Sequence, residues 1–209
     1  MKPPVTIEIP KLLSKEPYKK VTISEDGITI DMAPNGIPVI IPVDDLVAFR
    51  YGFKWISGRA FTIGRHFMIE FKTTHQKNII IKFSSYYGLR KKAYGKNWAD
   101  LVNSVWSHHF LKRYTEYYNR FKEGQSFELC GMIFNEDSIA WDKTSLNIRD
   151  VGISNYRHYF MVYNKLNKTQ QKGYTFMQDW NALVLKYLLK TITEEHLIDT
   201  PDTTSDTHP

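Results

Sequence analysis

The feature that most constrains the fold is an internal repeat: short blocks of the first half recur, in the same order, in the second half. In the first block, residues 23–30 align with residues 134–141, and each copy carries a Glu-Asp pair between two apolar-polar alternating runs. Polar turn residues between two alternating runs predict a β-hairpin. We therefore expect Glu25-Asp26 and Glu136-Asp137 at the tips of two equivalent hairpins.

Three further blocks follow in the same order in both halves. The first is an Asp-containing bend that leads into a strand, and the second is an alternating strand. The third places Trp-x-x-Leu-Val, the spacing of an amphipathic helix, behind an Asn or Asp suited to a helix N-cap. Matches in one order are the signature of a duplication. The aligned pairs are 42–47 with 147–152, 66–72 with 159–165 and 97–102 with 179–184.

Each copy therefore predicts an antiparallel meander followed by one amphipathic helix that covers its apolar face. This pattern resembles the pleckstrin-homology-like (PH-like) superfold, in the style of the bacterial PH-like or GRAM-like domains. The resemblance rests on the two Glu-Asp hairpins, the bends at Asp45 and Asp150, and the helices expected to start at Trp98 and Trp180. It implies an α+β, mainly β fold: two PH-like antiparallel barrels, each closed by a C-terminal α-helix. Another pair of small β-barrels or sandwiches with helices at the ends is the competing fold.

The repeat divides the chain into four parts. We expect an N-terminal arm over 1–17, a first PH-like domain over 18–123, a second over 124–192 and an acidic disordered tail over 193–209. The first domain ends in an extended helix, because its apolar spacing continues over 97–121. The tail is rich in Asp, Thr and Pro and contains acids but no Lys or Arg, which favours disorder.

The charge pattern points to anionic partners. The net charge is +6 although the tail is acidic, so the remaining chain is more basic than the total. A basic surface favours binding to nucleic acid, phospholipid or an acidic protein face. The alternative is that the positive charge only increases solubility. The first copy has an insertion over 84–96 in which four Lys and Arg residues are interleaved with three Tyr, and the second copy has almost nothing there. In a binding segment, the basic residues would supply phosphate affinity, and the aromatic residues would supply stacking or an interfacial anchor. The alternative interpretation of this insertion is a solvated loop tip. The candidate anion- or partner-binding residues are Lys82, Arg90, Lys91, Lys92, Tyr94, Lys96, Lys112 and Arg113.

The sequence contains no recognisable catalytic motif. It has no Gly-x-Ser-x-Gly elbow, no phosphate-binding Gly-x4-Gly-Lys loop and no His-Glu-x-x-His zinc motif. The single cysteine, Cys130, lies among apolar residues, and the adjacent His108-His109 would point about 100° apart on a helix. We therefore expect no enzyme, no cofactor and no metal site. A small enzyme that uses a groove between the copies is the third hypothesis.

The resemblance implies an adaptor that binds lipids, peptides or proteins. Lipid-binding PH domains place Lys and Arg in the loop between their first two strands, whereas the corresponding loops here carry Glu25-Asp26 and Glu136-Asp137. Phosphoinositide binding is therefore not expected at those loops. The leading hypothesis is a non-catalytic binding and scaffolding module that mediates protein–protein or membrane-proximal assembly. The alternative hypothesis is binding of an anionic membrane surface through the basic insertion 82–96. Nucleic acid is the less favoured ligand for the same segment. A homo-oligomer stays open.

The N-terminal sequence lacks the uninterrupted apolar stretch of a secretory signal, because Glu8 and Lys11 interrupt it. No apolar run approaches the roughly 20 residues that span a bilayer. The sequence therefore predicts a cytoplasmic protein, with a peripheral position at the inner membrane face left open.

Overall fold

A computed structural model describes residues 2–32, 36–75 and 77–198 of the protein. Strand residues predominate, as expected from the alternating runs. The chain forms two compact units. Of the described residues, unit 1 contains those up to Arg113 together with Phe176–Asn181, and unit 2 contains Tyr114–Thr175 and those from Ala182 onward.

Unit 1 contains two antiparallel sheets in which neighbours in sequence are neighbours in space. Alternation of apolar and polar residues along each strand buries one face, as in β2, where Val21 and Ile23 are fully buried. The first sheet consists of β1 Val5–Pro10, β2 Pro17–Ser24, β3 Gly27–Met32 and β4 Val39–Pro42. The second consists of β5 Leu46–Ser57, β6 Thr62–Thr73 and β7 Ile79–Tyr86.

A long helical segment follows β7. It comprises α1 Lys91–Val105, a π-helical turn Trp106–Phe110 and α2 Leu111–Lys122. The buried side chains of α1 are Tyr94, Leu101, Val102 and Val105, and α1 packs on β1, β6 and β7. Their spacing is that of one helical face, so burial of this apolar stripe fixes α1 on the sheets.

Unit 2 repeats this arrangement with shorter strands. The helix α3 Ala182–Ile198 buries Leu185, Leu188, Leu189 and Ile192, and it packs against β12. The first sheet consists of β8 Phe127–Leu129, β9 Met132–Phe134, β10 Ser138–Trp141 and β11 Thr144–Asn147. The second consists of β12 Val151–Asn155, β13 Tyr159–Asn164 and β14 Gln171–Thr175.

The two units share their order of elements: four strands, a short 3-10 turn, three strands and a helix. They also share the hydrogen bonds that fix the bends. In each unit, the backbone carbonyls of the Asp in the Glu-Asp turn and of the last Asp in the 3-10 turn accept N–H bonds at equivalent places. These bonds are Val43 N to Asp26 O (2.9 Å), Ile148 N to Asp137 O (2.9 Å), Thr74 N to Asp45 O (3.0 Å) and Lys165 N to Asp150 O (2.7 Å).

The prediction of two barrels, each closed by a helix, is wrong. The described residues form four separate sheets, and none of these closes into a barrel. The structure has one long helical segment and a C-terminal helix in place of two closing helices. The 3-10 turns Val43–Asp45 and Ile148–Asp150 interrupt the run of paired strands. The fourth strand of each unit therefore ends its sheet, and the fifth starts a new one.

Several predicted boundaries also differ from the structure. The arm expected over 1–17 contains β1, which pairs with β2, so Glu25-Asp26 joins the second and third strands rather than the first two. Helix α1 begins before Trp98, and α3 begins after Trp180.

The predicted tail begins inside α3, which continues to Ile198, and residues 199–209 lie outside the described residues. Among the described residues, no helix is both long and apolar enough to cross a membrane.

Candidate functional site

The basic insertion expected over 84–96 is not a loop. Strand β7 continues to Tyr86, a tight turn follows, and α1 begins at Lys91. Three turn residues have positive φ: Tyr87 (49°), Gly88 (78°) and Arg90 (56°). A left-handed conformation at non-glycine residues is uncommon and costs about 1 kcal/mol or more per residue, so the surrounding contacts must hold this turn in place.

Two of the predicted binding residues in this segment have structural roles. The Arg90 guanidinium donates hydrogen bonds to the carbonyl oxygens of Leu12 (3.1 Å) and Ser14 (2.7 Å). The Tyr94 side chain is buried, its hydroxyl donates to the carbonyl of Pro10 (2.8 Å), and burial raises its pKa. Both residues hold the β1–β2 connection against the start of α1.

Arg113 and Lys96 also have partners inside unit 1. The Arg113 guanidinium donates to the carbonyl oxygens of Leu46 and Val47 at the start of β5. Lys96 forms an ion pair with Asp100 one helical turn later, at 2.7 Å. An exposed pair of this kind contributes only a few tenths of a kcal/mol.

The four remaining predicted residues are exposed and do not form one cluster in the fold. Lys82 lies on β7, Lys112 on α2, and Lys91 and Lys92 in the first turn of α1. The structure therefore brings Lys91 and Lys92 together and places the other two on separate elements.

A different candidate site lies at the edges of the two three-stranded sheets, which β5 forms in unit 1 and β12 forms in unit 2. In unit 1, the edge strand β5 is covered by a turn formed by residues 176–181. Tyr51 N donates to Phe176 O (2.8 Å), and Asn181 N donates to Phe49 O (2.9 Å). The side-chain oxygen of Asn181 also accepts from Phe49 N at 3.2 Å. With the contacts from Arg113, the chain itself covers the first half of the outward edge of β5, from Leu46 to Tyr51.

Arg50 anchors this turn to the sheet. Its guanidinium pairs with Glu70 at 2.7 Å, lies 4.3 Å from the ring centroid of Trp180 and donates to the carbonyl of Gln178 at 3.2 Å. A guanidinium that pairs with a carboxylate and stacks on an indole combines charge with geometric specificity. The turn is thus held by side-chain contacts as well as by the backbone bonds to β5.

In unit 2, the edge strand β12 faces an open cleft of about 310 Å³ beside α3. Every second residue of an edge strand directs its N–H and C=O away from the sheet. Across the described ranges, no bond comparable to those of residues 176–181 reaches the outward edge of β12. The cleft is lined by Val151, Gly152, Ile153, Asn155, Tyr163, Lys165, Lys186, Lys190, Thr193 and Glu194.

The cleft is positively charged. Lys165, Lys186 and Lys190 line it together with a single acid, Glu194, which lies 3.8 Å from Lys190. Burial lowers the pKa of Lys186, and the nearby Lys190 lowers it further. An anionic group bound in the cleft would raise the pKa of Lys186 again, because it would favour the charged form of the lysine.

The parts of the chain that the structure describes contain no grouping typical of a metal site. No cluster of three or more His, Cys, Asp or Glu there could hold a metal ion. His109, in the π-helical turn, is 5% exposed, and neither of its ring nitrogens has a hydrogen-bond partner of ordinary geometry. Burial lowers its pKa to about 4, helped by His108 and Arg113 and opposed by the nearby backbone of Gly27. His109 is therefore a neutral core residue near pH 7.

Sequence reasoning missed the β12 cleft, although one signal was present. A glycine inside a strand often marks a close approach of another group, and Gly152 lies in β12 under the ring of Tyr163. The rest of the cleft depends on how α3 packs, which the sequence pattern of β12 does not reveal.

The comparisons with known proteins give no family. No family model matches the sequence, and no curated protein matches it. Among solved structures, the chain is similar to one described as the structure of the Spt16D Pob3N heterodimer, with 10% sequence identity over 84% of this chain and 97% of that chain. The TM-score is 0.29, which is too low to establish a common fold.

Proposed function

We propose that the protein is a non-catalytic binding module, and that the β12 edge of unit 2 binds an extended, acidic segment of a protein partner. The observation that carries this proposal is the contrast between two equivalent edges. The chain's own residues cover β5 in unit 1, whereas β12 in unit 2 faces an open cleft.

The occupied edge of unit 1 supports a backbone-directed mode of binding. There, peptide groups at Phe49 and Tyr51 bond to a segment distant in sequence. β12 follows the same kind of 3-10 turn and has the same place in its sheet as β5. A partner segment that adds to β12 as a strand would satisfy its outward N–H and C=O groups in the same manner.

The side chains of the cleft specify the character of that segment. Val151 and Ile153 supply an apolar floor, while Lys186 and Lys190 project from α3 along one side. An added strand directs alternate side chains to opposite faces. The best fit is therefore a segment in which apolar residues alternate with Asp or Glu, so that the carboxylates meet the lysines.

The test is binding of a fluorescein-labelled peptide that alternates valine and glutamate to the full chain, followed by fluorescence anisotropy. Two matched peptides separate the contributions. One has the same sequence with alternate backbone amides methylated, and the other replaces glutamate with lysine. Strand addition requires that methylation abolish binding, and charge complementarity requires that the lysine peptide bind at least about tenfold more weakly.

The matching protein variants are Lys165→Gln with Lys190→Gln in the cleft and Lys143→Gln with Lys168→Gln outside it. All four lysines are exposed, and each pair removes the same charge. Lys165 also donates to the Arg149 carbonyl at 2.9 Å, so urea unfolding of both variants is measured alongside binding. We expect only the cleft pair to weaken binding, by roughly tenfold. Equal binding of the methylated peptide, equal losses in both variants, or no binding of the parent peptide would contradict the proposal.

A further inference from the structure

A candidate binding surface separate from the β12 cleft lies on unit 1, at the turns beside the start of α1. We call it the tip surface. It is made of five exposed apolar side chains on three connections. Leu13 lies between β1 and β2, Trp55 near the end of β5, Phe61 in the β5–β6 turn, and Tyr87 and Leu89 between β7 and α1. We propose that the tip surface inserts into the interfacial region of an anionic phospholipid membrane.

The exposure of these side chains is unusually high for such large residues. Leu13 is 85% exposed, Tyr87 75% and Phe61 63%. Single exposed apolar residues need no explanation, whereas a group of them at adjoining turns marks an interaction surface.

Hydrogen bonds hold the three connections together. Arg90, next to Leu89, donates to the carbonyls of Leu12 and Ser14, on either side of Leu13. Tyr87 N donates to Ile63 O at 2.7 Å, which joins the β7–α1 turn to the end of the β5–β6 hairpin. The apolar side chains are therefore presented together by a folded framework.

Arg65 fixes the orientation of the indole on the hairpin. Its guanidinium lies 4.3 Å from the ring centroid of Trp55 and 4.7 Å from that of Phe53. A cleft of about 170 Å³ separates Trp55 from Tyr87, and Arg65 and Lys91 also line it. Stacking on a guanidinium limits the freedom of the indole, so less entropy is lost when it enters an interface.

The charge around the tip surface complements an anionic layer. Segments 11–16, 51–65 and 84–96 contain one acid, Glu16, and this acid is paired with Lys11 at 2.8 Å. The exposed cations on these segments include Lys15, Arg59, Lys91 and Lys92. Lys91 and Lys92 lie in the first turn of α1, where the helix dipole disfavours cations and favours anions. An anion bound there would relieve this unfavourable arrangement.

The residue types favour a membrane over nucleic acid. Trp and Tyr are typical of the membrane–water interface, and neighbouring Lys or Arg residues bind anionic headgroups. Leu13 and Leu89 have no aromatic face on which a base could stack, but they can enter the boundary of the acyl chains. The tip surface thus combines apolar and aromatic side chains, which enter the membrane interface, with cations, which bind anionic headgroups.

The test is co-sedimentation of the full chain with vesicles of phosphatidylcholine alone or of phosphatidylcholine mixed with phosphatidylserine. We expect binding only to the mixed vesicles, weakened by salt. Lys91→Gln with Lys92→Gln should weaken it roughly thirtyfold, because each lysine near an anionic surface contributes about fivefold. Leu13→Ser and Phe61→Ser should each weaken it by roughly fivefold or more.

Matched controls are Lys143→Gln with Lys168→Gln for charge and Leu166→Ser for an apolar residue that is 81% exposed in unit 2. Neither should change sedimentation. Equal binding to both vesicle types, equal losses in the controls, or no sedimentation would overturn the proposal. Binding of a single-stranded DNA oligonucleotide without binding of mixed vesicles would do so as well. The Lys165→Gln, Lys190→Gln variant should sediment normally, so the result is independent of the β12 cleft.

Discussion

The ring of Tyr163 lies over Gly152 so closely that a Cβ at position 152 would come 2.4 Å from Cζ of the tyrosine. β12 and β13 pair these two residues directly. The ring thereby uses the space that only a glycine leaves, and it forms part of the wall of the β12 cleft.

Gly152→Ala should therefore displace the Tyr163 ring. We expect a loss of about 1–3 kcal/mol in the free energy of unfolding, as for other overpacked positions, together with weaker peptide binding. Urea unfolding and anisotropy measure the two effects. Gly173→Ala in the same sheet is the control, since its nearest neighbour is the flexible Met161 thioether at 3.0 Å. If the two variants lost equal stability, the close fit of Tyr163 would not be the cause.

The turn that covers β5 depends on Asn181, which has a φ of 61° and accepts a hydrogen bond from Phe49 N. Asn181→Gly removes the bond but tolerates the backbone, and it should cost about 1 kcal/mol. Asn181→Ala keeps a Cβ in the left-handed region but loses the polar side chain that makes Asn tolerant of it, so it should cost about 2 kcal/mol. Urea unfolding compares the two variants, and hydrogen exchange at the Phe49 amide should accelerate in both. Unchanged exchange would mean that Asn181 does not protect the edge.

The sequence predicted the parts of the fold that depend on neighbouring residues. The Glu25-Asp26 and Glu136-Asp137 turns join adjacent strands as expected, because polar turn residues and alternation act over short distances. Strand β1 was missed, although residues 5–9 alternate, because the repeat used to set the boundary starts after it.

The candidate site was less predictable because a sequence pattern does not show where long side chains find partners. Arg90 and Arg113 lie in segments whose composition predicts a binding patch. Both side chains, however, bond to backbone carbonyls far away in the sequence. The cover on β5 likewise comes from residues 176–181, more than a hundred positions later. Such contacts depend on tertiary packing, so local periodicity contains no signal for them.

His109 should make the protein less stable in mild acid. Its pKa falls to about 4 in the fold from an ordinary value of 6.5, so the unfolded chain binds the proton more tightly. The stability contributed by the neutral ring is fully present above pH 6.5 and is lost as the pH falls toward 4. Near pH 5 the loss is about 2 kcal/mol.

His109→Leu should remove this dependence, because leucine keeps a similar volume and does not titrate. Urea unfolding at pH 7.5 and pH 5 would show a smaller difference in the variant than in the parent protein. His158→Leu, at an exposed position, is the control and should leave the difference unchanged. If His109→Leu retained the full loss at pH 5, another group would be responsible.

Tyr118 and Glu195 link α2 to α3 within unit 2, and Glu195 lies in the stretch, 193–209, that the sequence predicted to be a disordered tail. The Tyr118 hydroxyl donates to the Glu195 carboxylate at 2.6 Å, and this bond, together with burial, raises the pKa of Tyr118 to about 12. A raised phenol pKa means that the neutral form stabilises the fold below pH 10, and this contribution is lost as the pH rises through 12. Solvent screening keeps the gain small.

We therefore expect Tyr118→Phe to cost about 1 kcal/mol at pH 7, and the double variant with Glu195→Gln to cost less than the sum of the single variants. Urea unfolding of the four proteins gives the coupling energy. Tyr117→Phe is the matched control, because the Tyr117 hydroxyl makes no hydrogen bond within the described residues, and its ring still packs on Phe127. Strict additivity would show that the two side chains do not interact in solution. A coupling near 1 kcal/mol would place Glu195 in a stably packed helix.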